Sequence, residues 1–230
     1  EFCNTIESIN SRIEKAEKRI SELKDQFFKL TQTKIEKKQP LHRCGWVSND
    51  PTYLAYHDTE WGVPELDSRA LFTKLCLDGQ QAGLSWLTIL KKQQNFENAF
   101  HQFNPEKIAV MGESDIERLM QDKGIIRNRL KIASIIRNAK GFLAIEQTQP
   151  FSEFIWQFTD GRTVINRWED FKQAPTSTDE SKAMSKALKK QGFNFVGETI
   201  CYAFMQAVGM VNDHEISCHC YERTCELAVE

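Results

Sequence analysis

No run of eighteen apolar residues occurs anywhere in the 230-residue chain, so no segment reads as a membrane-spanning helix. The start is charged and lacks the apolar stretch of a signal peptide, so no secretory leader is expected. It also lacks an initiator Met and is read as a fragment or a processed end. A strong excess of either charge is missing too. Thirty Lys/Arg against 32 Asp/Glu leave a formal net charge of -2, and no global basic field announces nucleic acid. Seven cysteines, at 3, 44, 76, 201, 218, 220 and 225, cannot all pair with one another. The odd count argues against a secreted disulfide framework and for reduced thiols plus a metal, which places the chain in a cytosolic or nuclear compartment. What is plentiful is apolar volume. Hydrophobic residues make up 40% of the chain, with fifteen Phe and five Trp, enough for a real core in one or two domains.

Two pieces of different character follow one another. From 6 to 30, Ile6, Ile13, Ile20 and Phe27 fall at a, and Ile9, Ala16, Leu23 and Leu30 at d, with mostly Ser, Glu, Lys and Arg between. Spacings of three and four alternate for about three and a half heptads, the pattern of a coiled-coil seam and a route to self-association. A single amphipathic helix lying on the following domain satisfies the same spacing. A polar, Lys-rich linker, 31–40, follows. The wording of residues 1–38 resembles the coiled coil in the first-open-reading-frame protein of mammalian long interspersed retrotransposons, which implies that residues 1–40 are foreign to the domain at 41–230. Residues 1–40 hold nine Lys/Arg and seven Asp/Glu, which leaves 21 basic and 25 acidic residues beyond.

Beyond residue 43 helical signals dominate and strand signals are sparse, so an all-α fold is expected. Asp67 or Ser68 caps a helix running to about Leu77, and Ser85 opens an apolar-periodic run through Phe100. Ser114 and Glu117 form a capping box. Residues 127–142 place Leu130, Ile132, Ile135, Ile136 and Ala139 on one broad face. Residues 151–158 read as a short aromatic helix. Thr178 caps a helix over 179–190 that Gly192 stops, and 197–208 is apolar nearly all round, as in a buried helix.

Residues 115–141 read helix, short hairpin through Lys123, Gly124, Ile125 and Ile126, then helix. Gly124 supplies the freedom of a tight connection, and the amides that open the second helix can hold an anion. Seven Lys/Arg stand between Arg118 and Lys140 against one acid, Asp122. A basic helical hairpin with exposed amides grips a phosphate backbone without reading sequence, through residues such as Lys123, Gly124, Arg127 and Arg129. The same charge run also suits a solvated face.

Two Cys/His pairs stand far apart: Cys44 with His57, and His214 with Cys218. The second pair shares a face if it sits on a helical turn, and two thiolates with two imidazoles make a common tetrahedral zinc set. The four residues also read as two unrelated pairs of core Cys and polar His. Trp46, Tyr53, Tyr56 and Trp61 lie within sixteen residues, and Asp78-Gly-Gln-Gln-Ala-Gly-Leu-Ser-Trp86 follows. Aromatics at this density form core more often than site. Here they fall among polar, Gly-bearing loops, which suits a flat pocket of rings closed by one carboxylate, where a planar base would stack for about 1–3 kcal/mol per contact.

Arg43-Cys-Gly-Trp46, Tyr56-His-Asp-Thr-Glu-Trp-Gly62, Gly79-Gln-Gln-Ala-Gly-Leu-Ser-Trp86, Gly124-Ile-Ile-Arg127, Phe195-Val-Gly197 and Asn212-Asp-His214 together resemble the DNA-3-methyladenine glycosylase I family, over about 42–225. The resemblance implies a helix-hairpin-helix DNA glycosylase fold and a bacterial-type, cytoplasmic enzyme, nuclear if the N-terminal piece is genuine. It implies hydrolytic excision of 3-methyladenine from double-stranded DNA. It puts one structural zinc on Cys44, His57, His214 and Cys218, with His42, His219 and Cys220 as competing ligands. It puts the base pocket on Trp46, Tyr53, Tyr56, Trp61, Trp86 and the catalytic Asp78, and a DNA wedge on Leu84. The family's pocket carboxylate is normally Glu. Asp78 draws the oxygens back by one C–C bond, about 1.5 Å, so contact with the exocyclic amine of adenine is weakened or bridged by water. No lysine stands near these motifs as a Schiff-base nucleophile, and the Asp that other helix-hairpin-helix glycosylases carry beyond the hairpin is not evident at 142–148. A monofunctional hydrolase is therefore expected. Two alternatives stay open. One is a zinc-stapled DNA- or protein-binding module without catalysis, dimerised by the coiled coil. The other is a zinc hydrolase, which is disfavoured because the four ligands leave no open position on the metal.

Overall fold

The computed structural model describes residues 18–20, 23–24 and 41–230. The first two stretches are helical, with Ile20 and Leu23 exposed; the rest of the heptad segment lies outside the described residues. Arg43–Glu230 forms one compact unit and is taken by itself below. Its α-helices are α1 (Pro51–Thr59), α2 (Ser68–Gln81), α3 (Trp86–Leu90), α4 (Gln93–Ala99), α5 (Pro105–Ala109), α6 (Glu113–Met120), α7 (Arg129–Glu146), α8 (Phe151–Trp156), α9 (Asp179–Lys190), α10 (Glu198–Ala207) and α11 (Tyr221–Glu226). Two-residue strands β1 (Val164–Ile165) and β2 (Val211–Asn212) pair in parallel, Val164 with Val211. No helix among the described residues is long and apolar enough to cross a membrane.

Local signals set most boundaries. Asp67 is the cap of α2, its Oδ1 accepting the Ala70 N–H at 2.8 Å, and the helix runs four residues past the expected Leu77. Ser85 caps as expected, but its run breaks at Lys91 and Lys92 into α3 and α4. The box expected at Ser114 does not form: the cap is Gly112, which has no side chain to accept an amide, and only the return bond is made, the Gly112 N–H donating to Asp115 Oδ2 at 3.1 Å. Thr178 and Gly192 bound α9 as expected, Gly192 adopting φ +87°. The weakest expectation concerned α7. Ile132, Ile135, Ile136 and Ala139 are buried, but Leu130 is 70% exposed. At 3.6 residues per turn Leu130 stands roughly 200° around the axis from Ile132, on the opposite side.

Helix α2 is the axis of the core. It packs against α3, α7, α8 and α10 and buries eight residues of varied polarity between Leu71 and Gln80. An aromatic chain of Phe72, Phe142 and Phe151, with ring centroids 4.9 and 5.0 Å apart, ties α2 to α7 and α8. Helix α10 is buried as expected. The close approach of α7 to the turn after α9 depends on Gly141, where an added Cβ would lie 2.6 Å from both the Gln191 carbonyl oxygen and the Phe193 ring. Gly141→Ala should therefore cost about 1–3 kcal/mol in urea unfolding, whereas Leu130→Ser should change stability by less than about 0.5 kcal/mol.

Candidate active site

The chain's distant Cys and His residues meet. Cys44 lies in the turn before α1, His57 on α1, and His214 and Cys218 in the loop between β2 and α11; all four are buried. The expected helical turn for the last pair is absent: 214–218 runs through a bridge and successive turns. Parallel pairing holds this loop instead, β1 against β2 and Trp168 against Glu215. Cys44 Sγ is 3.4 Å from His214 Nδ1, and Cys218 Sγ is 3.5 Å from both His57 Nε2 and His214 Nδ1. Donors about 2.3 Å (sulfur) and about 2.0–2.1 Å (nitrogen) from a tetrahedral ion stand about 3.5 Å apart, so this set could hold zinc without rearrangement. The outward ring nitrogens are engaged too. His57 Nδ1 meets Asp58 Oδ1 at 2.8 Å, and His214 Nε2 meets the Trp61 carbonyl at 3.2 Å, contacts that aim the other nitrogen of each ring inward. Arg43 grips Asp58 through Nε and a second nitrogen at 2.8 and 2.6 Å, and the paired guanidinium draws the Asp58 carboxyl down to about 2. The competing ligands are close as well: Cys220 with Cys218 and His219, and Cys220 with His57 and Asp58, form smaller groups of donors.

Beside this quartet is a cavity of about 500 Å³, within the roughly 300–1,000 Å³ of small-molecule sites. Trp46, Tyr53, Tyr56, Trp61, Asp78 and Trp86 all line it. The aromatics do not sit mainly in loops, as the sequence suggested: Tyr53 and Tyr56 lie on α1, which Asp50 caps and Pro51 opens. Trp46 joins the two sites, its ring centroid 5.1 Å from Tyr53, 5.0 Å from Trp61 and 5.3 Å from His57. Burial pushes the Tyr56 hydroxyl well above its ordinary pKa and keeps it neutral. Asp213, another lining residue, accepts from Asn166, Trp168, Tyr202 and Gln206 at 2.6–2.7 Å. With four donors its lone pairs are filled, so it braces the wall and is not a free base.

One lining residue overturns an expectation. Lys74, one helical turn before Asp78 on α2, extends its ammonium into the cavity, 4.0 Å from the Trp86 ring centroid, and donates to Asp78 Oδ1. A lysine does therefore stand at the pocket carboxylate. Burial pulls Lys74 down and Asp78 up in pKa, and each charge opposes that shift in the other. Asp78 Oδ2 is buried with no hydrogen-bond partner.

At the rim, Leu84 is 40% exposed on the loop after α2, next to Gly83 with φ +76°. Lys131 supports this loop from below. Counted by the sequence among exposed cations, it is only 6% exposed, and its ammonium donates to the carbonyls of Gln80 and Ala82, both at 2.7 Å. The hairpin also differs in detail. The Gly124 amide is taken by Asp122 Oδ1 at 2.7 Å, and Arg129 turns back onto Glu113 and Glu117 of α6. Lys123 and Arg127 remain exposed. They line a shallow hollow with Lys92, whose ammonium donates to the carbonyls of Lys123 and Gly124 at 3.2 and 3.0 Å.

The chain that builds this site matches a known group of proteins over most of its length. A family model for methyladenine glycosylase covers residues 46–221. The chain belongs to the methyladenine glycosylase family. It is 58% identical over 182 residues to the DNA-3-methyladenine glycosylase 1 of Escherichia coli (strain K12), a match covering 79% of this chain and 97% of that one. It is 54% identical over 179 residues to the DNA-3-methyladenine glycosylase of Haemophilus influenzae, covering 77% and 97%. A crystal structure of 3-methyladenine DNA glycosylase I superposes with a TM-score of 0.78 at 58% identity, over 78% of this chain and all of that one. The Staphylococcus aureus enzyme, solved to explain its recognition of 3-methyladenine, superposes with a TM-score of 0.77 at 41% identity, over 80% and 98%.

Sequence reasoning about this methyladenine glycosylase missed Lys74, Lys92 and the bracing by Asp213. Lys74 had a signal, since positions four apart on a helix share a face. Lys92 and Asp213 had none, because their partners come from distant segments. One outcome follows from the geometry of the donors: if the quartet holds zinc, Asp58→Asn should weaken its binding about 10–100-fold in chelator competition, because His57 loses the carboxylate that orients it.

Proposed function

We propose that this chain is a base-excision repair glycosylase that flips 3-methyladenine out of alkylated double-stranded DNA and hydrolyses its glycosidic bond. The observation that carries the reading is the convergence of five aromatic side chains on α1, α3 and their flanking loops around a cavity that a buried carboxylate with an unpartnered Oδ2 also lines. Stacking on rings contributes about 1–3 kcal/mol per contact and tolerates any planar base. The free oxygen supplies an acceptor for the exocyclic amine of adenine. Methylation at N3 makes the base cationic, so its glycosidic bond is already weakened and the base departs neutral. The enzyme has only to extrude the nucleotide, hold the base and admit water to C1′. Leu84, exposed at the rim, is the wedge that fills the vacated stack. Lys123, Arg127 and the amides opening α7 take the phosphate backbone, with Lys92 holding the hairpin in shape. Arg129 is the weakest of the predicted backbone contacts, since two carboxylates of α6 already hold it.

Cys44, His57, His214 and Cys218 hold one zinc ion as a structural staple. Four protein donors complete a tetrahedral shell and leave no position for substrate or water. The ion's part in the chemistry is positional, since Trp46 and Trp61 pack against its histidines. The binding-module reading has no observation in its favour comparable to the built pocket. The catalytic domain begins near residue 41, the preceding segment is an appended piece that can self-associate, and the enzyme acts in the cytoplasm.

Incubation with methylated DNA should release 3-methyladenine, and DNA binding without release would overturn the enzyme reading. Asp78→Asn should lower the rate at least tenfold, about 1.4 kcal/mol of transition-state stabilisation, in assays at a temperature where circular dichroism shows the variant folded. Removal of residues 1–40 should leave release within about twofold of the full chain, a surface truncation outside the catalytic unit.

A further inference from the structure

A second set of metal donors stands on the solvent side of the quartet. Cys44, His57, His214 and Cys218 are each at most 4% exposed, so a hydrated ion cannot reach all four from solution in one step. His219 and Cys220 continue the chain directly past Cys218. His219 Nε2 is 3.4 Å from Cys220 Sγ, close to the roughly 3.5 Å between donors on a tetrahedral zinc shell. The donor atoms of Cys218, His219 and Cys220 all lie within 4.8 Å of one another. Cys220 is buried, but the His219 side chain is 25% exposed, so this set reaches solvent where the quartet does not. Asp58 Oδ1 lies 3.4 Å from the same imidazole nitrogen, and Arg43 and His57 already engage that carboxylate. The ligands on offer are therefore two sulfurs and one imidazole, with one position left to water. Such donors suit zinc and not magnesium or calcium.

We propose that Cys218, His219 and Cys220 form an outer zinc site through which the ion enters and leaves the quartet. This role rests on the zinc staple proposed above. His219, Cys218 and Cys220 take the ion first, and the two thiols release their protons to water. Cys218 belongs to both sets and stays bound throughout. Cys44, His57 and His214 then replace His219, Cys220 and the remaining water. Cys44 gives up its thiol proton and Cys220 regains one, so charge is conserved and no atom changes oxidation state. Release is the same exchange reversed. A ligand common to both shells spares the protein a bare dication in a buried space, where desolvation is costly unless donors are in place.

The test is isotope exchange on the zinc-loaded full chain. Bound zinc is exchanged against an enriched zinc isotope in solution, and the fraction replaced is followed by mass spectrometry. His219→Ala and Cys220→Ser should each slow exchange at least about tenfold, with zinc content and affinity in chelator competition unaltered. The sign separates this role from a structural one, because a variant that merely loosened the staple would release the ion faster. His219 is at the surface, so its replacement leaves the core intact should Cys220→Ser fail to fold. Exchange in His219→Ala at the wild-type rate or faster overturns the proposal. A loss of affinity that matches the loss of rate also overturns it, since His219 and Cys220 would then be ordinary ligands of the staple. A wild-type chain that holds no zinc overturns the staple itself, whereas zinc held by the wild type with exchange unslowed in the variants overturns the outer site alone.

Discussion

Closure of the chain on itself is the constraint from which the site follows. Cys44 and His214 are 170 positions apart yet meet at 3.4 Å, so the first turn of the folded unit and its last loop must be built against each other. Several interactions share this closure. The Gly45 amide donates to Glu215 Oε1 at 2.9 Å, the same oxygen accepts the Phe171 amide at 3.2 Å, and β1 and β2 align the loop. Bringing such distant segments together carries a loop entropy that grows only slowly with length, so a handful of buried contacts is enough. A tetrahedral ion among the four donors would add to a joint that the protein has already shaped.

The pocket is a consequence of that joint. Helix α1 carries His57, Tyr53 and Tyr56 within about a third of its circumference, so whatever fixes the histidine fixes the rings. Trp46 and Trp61 fill the space between quartet and cavity with close edge contacts. The opposite wall comes from α2 and α10, with Asp213 tying Tyr202 and Gln206 to the 166–168 segment. Rings held this way lose little freedom when a planar base slides between them, which is the physical meaning of a preorganised site.

Charge in the cavity is arranged with equal care. A lone buried carboxylate is costly unless a partner or a hydrogen bond supports it. Lys74 provides that support for Asp78 from one turn away on the same helix, and Trp86 in turn supports the ammonium. Lys131 plays a comparable part under the wedge loop, where a buried ammonium is satisfied by two backbone carbonyls at the end of α2. In both places a lysine that composition would count as surface charge is structural or directed at the site. The basic character expected of the hairpin is correspondingly thinner, and rests on Lys123, Arg127 and the backbone.

By itself the sequence determined the helical class, the caps at Ser85 and Thr178 and, to within one residue, the cap at Asp67, because these are written in residue type at short spacing, while the aromatic box and the donor quartet were legible only through motifs that resemble one family. It also contained Lys74 and Asp78 at the spacing of one helical turn, a legible pair that the neighbouring motifs obscured. Tertiary structure alone decided what those side chains face. Leu130 is an exception, since the 3.6-residue period alone sets it opposite Ile132, and it is exposed. Arg129 and Lys131, two residues apart, went to opposite fates, one onto the acids of α6 and the other onto the carbonyls of α2. The short β1–β2 pair and the four donors on Asp213 had no local signature at all. Periodicity specifies which residues share a face of one element, whereas the partner that receives that face is set by packing between segments distant in the chain.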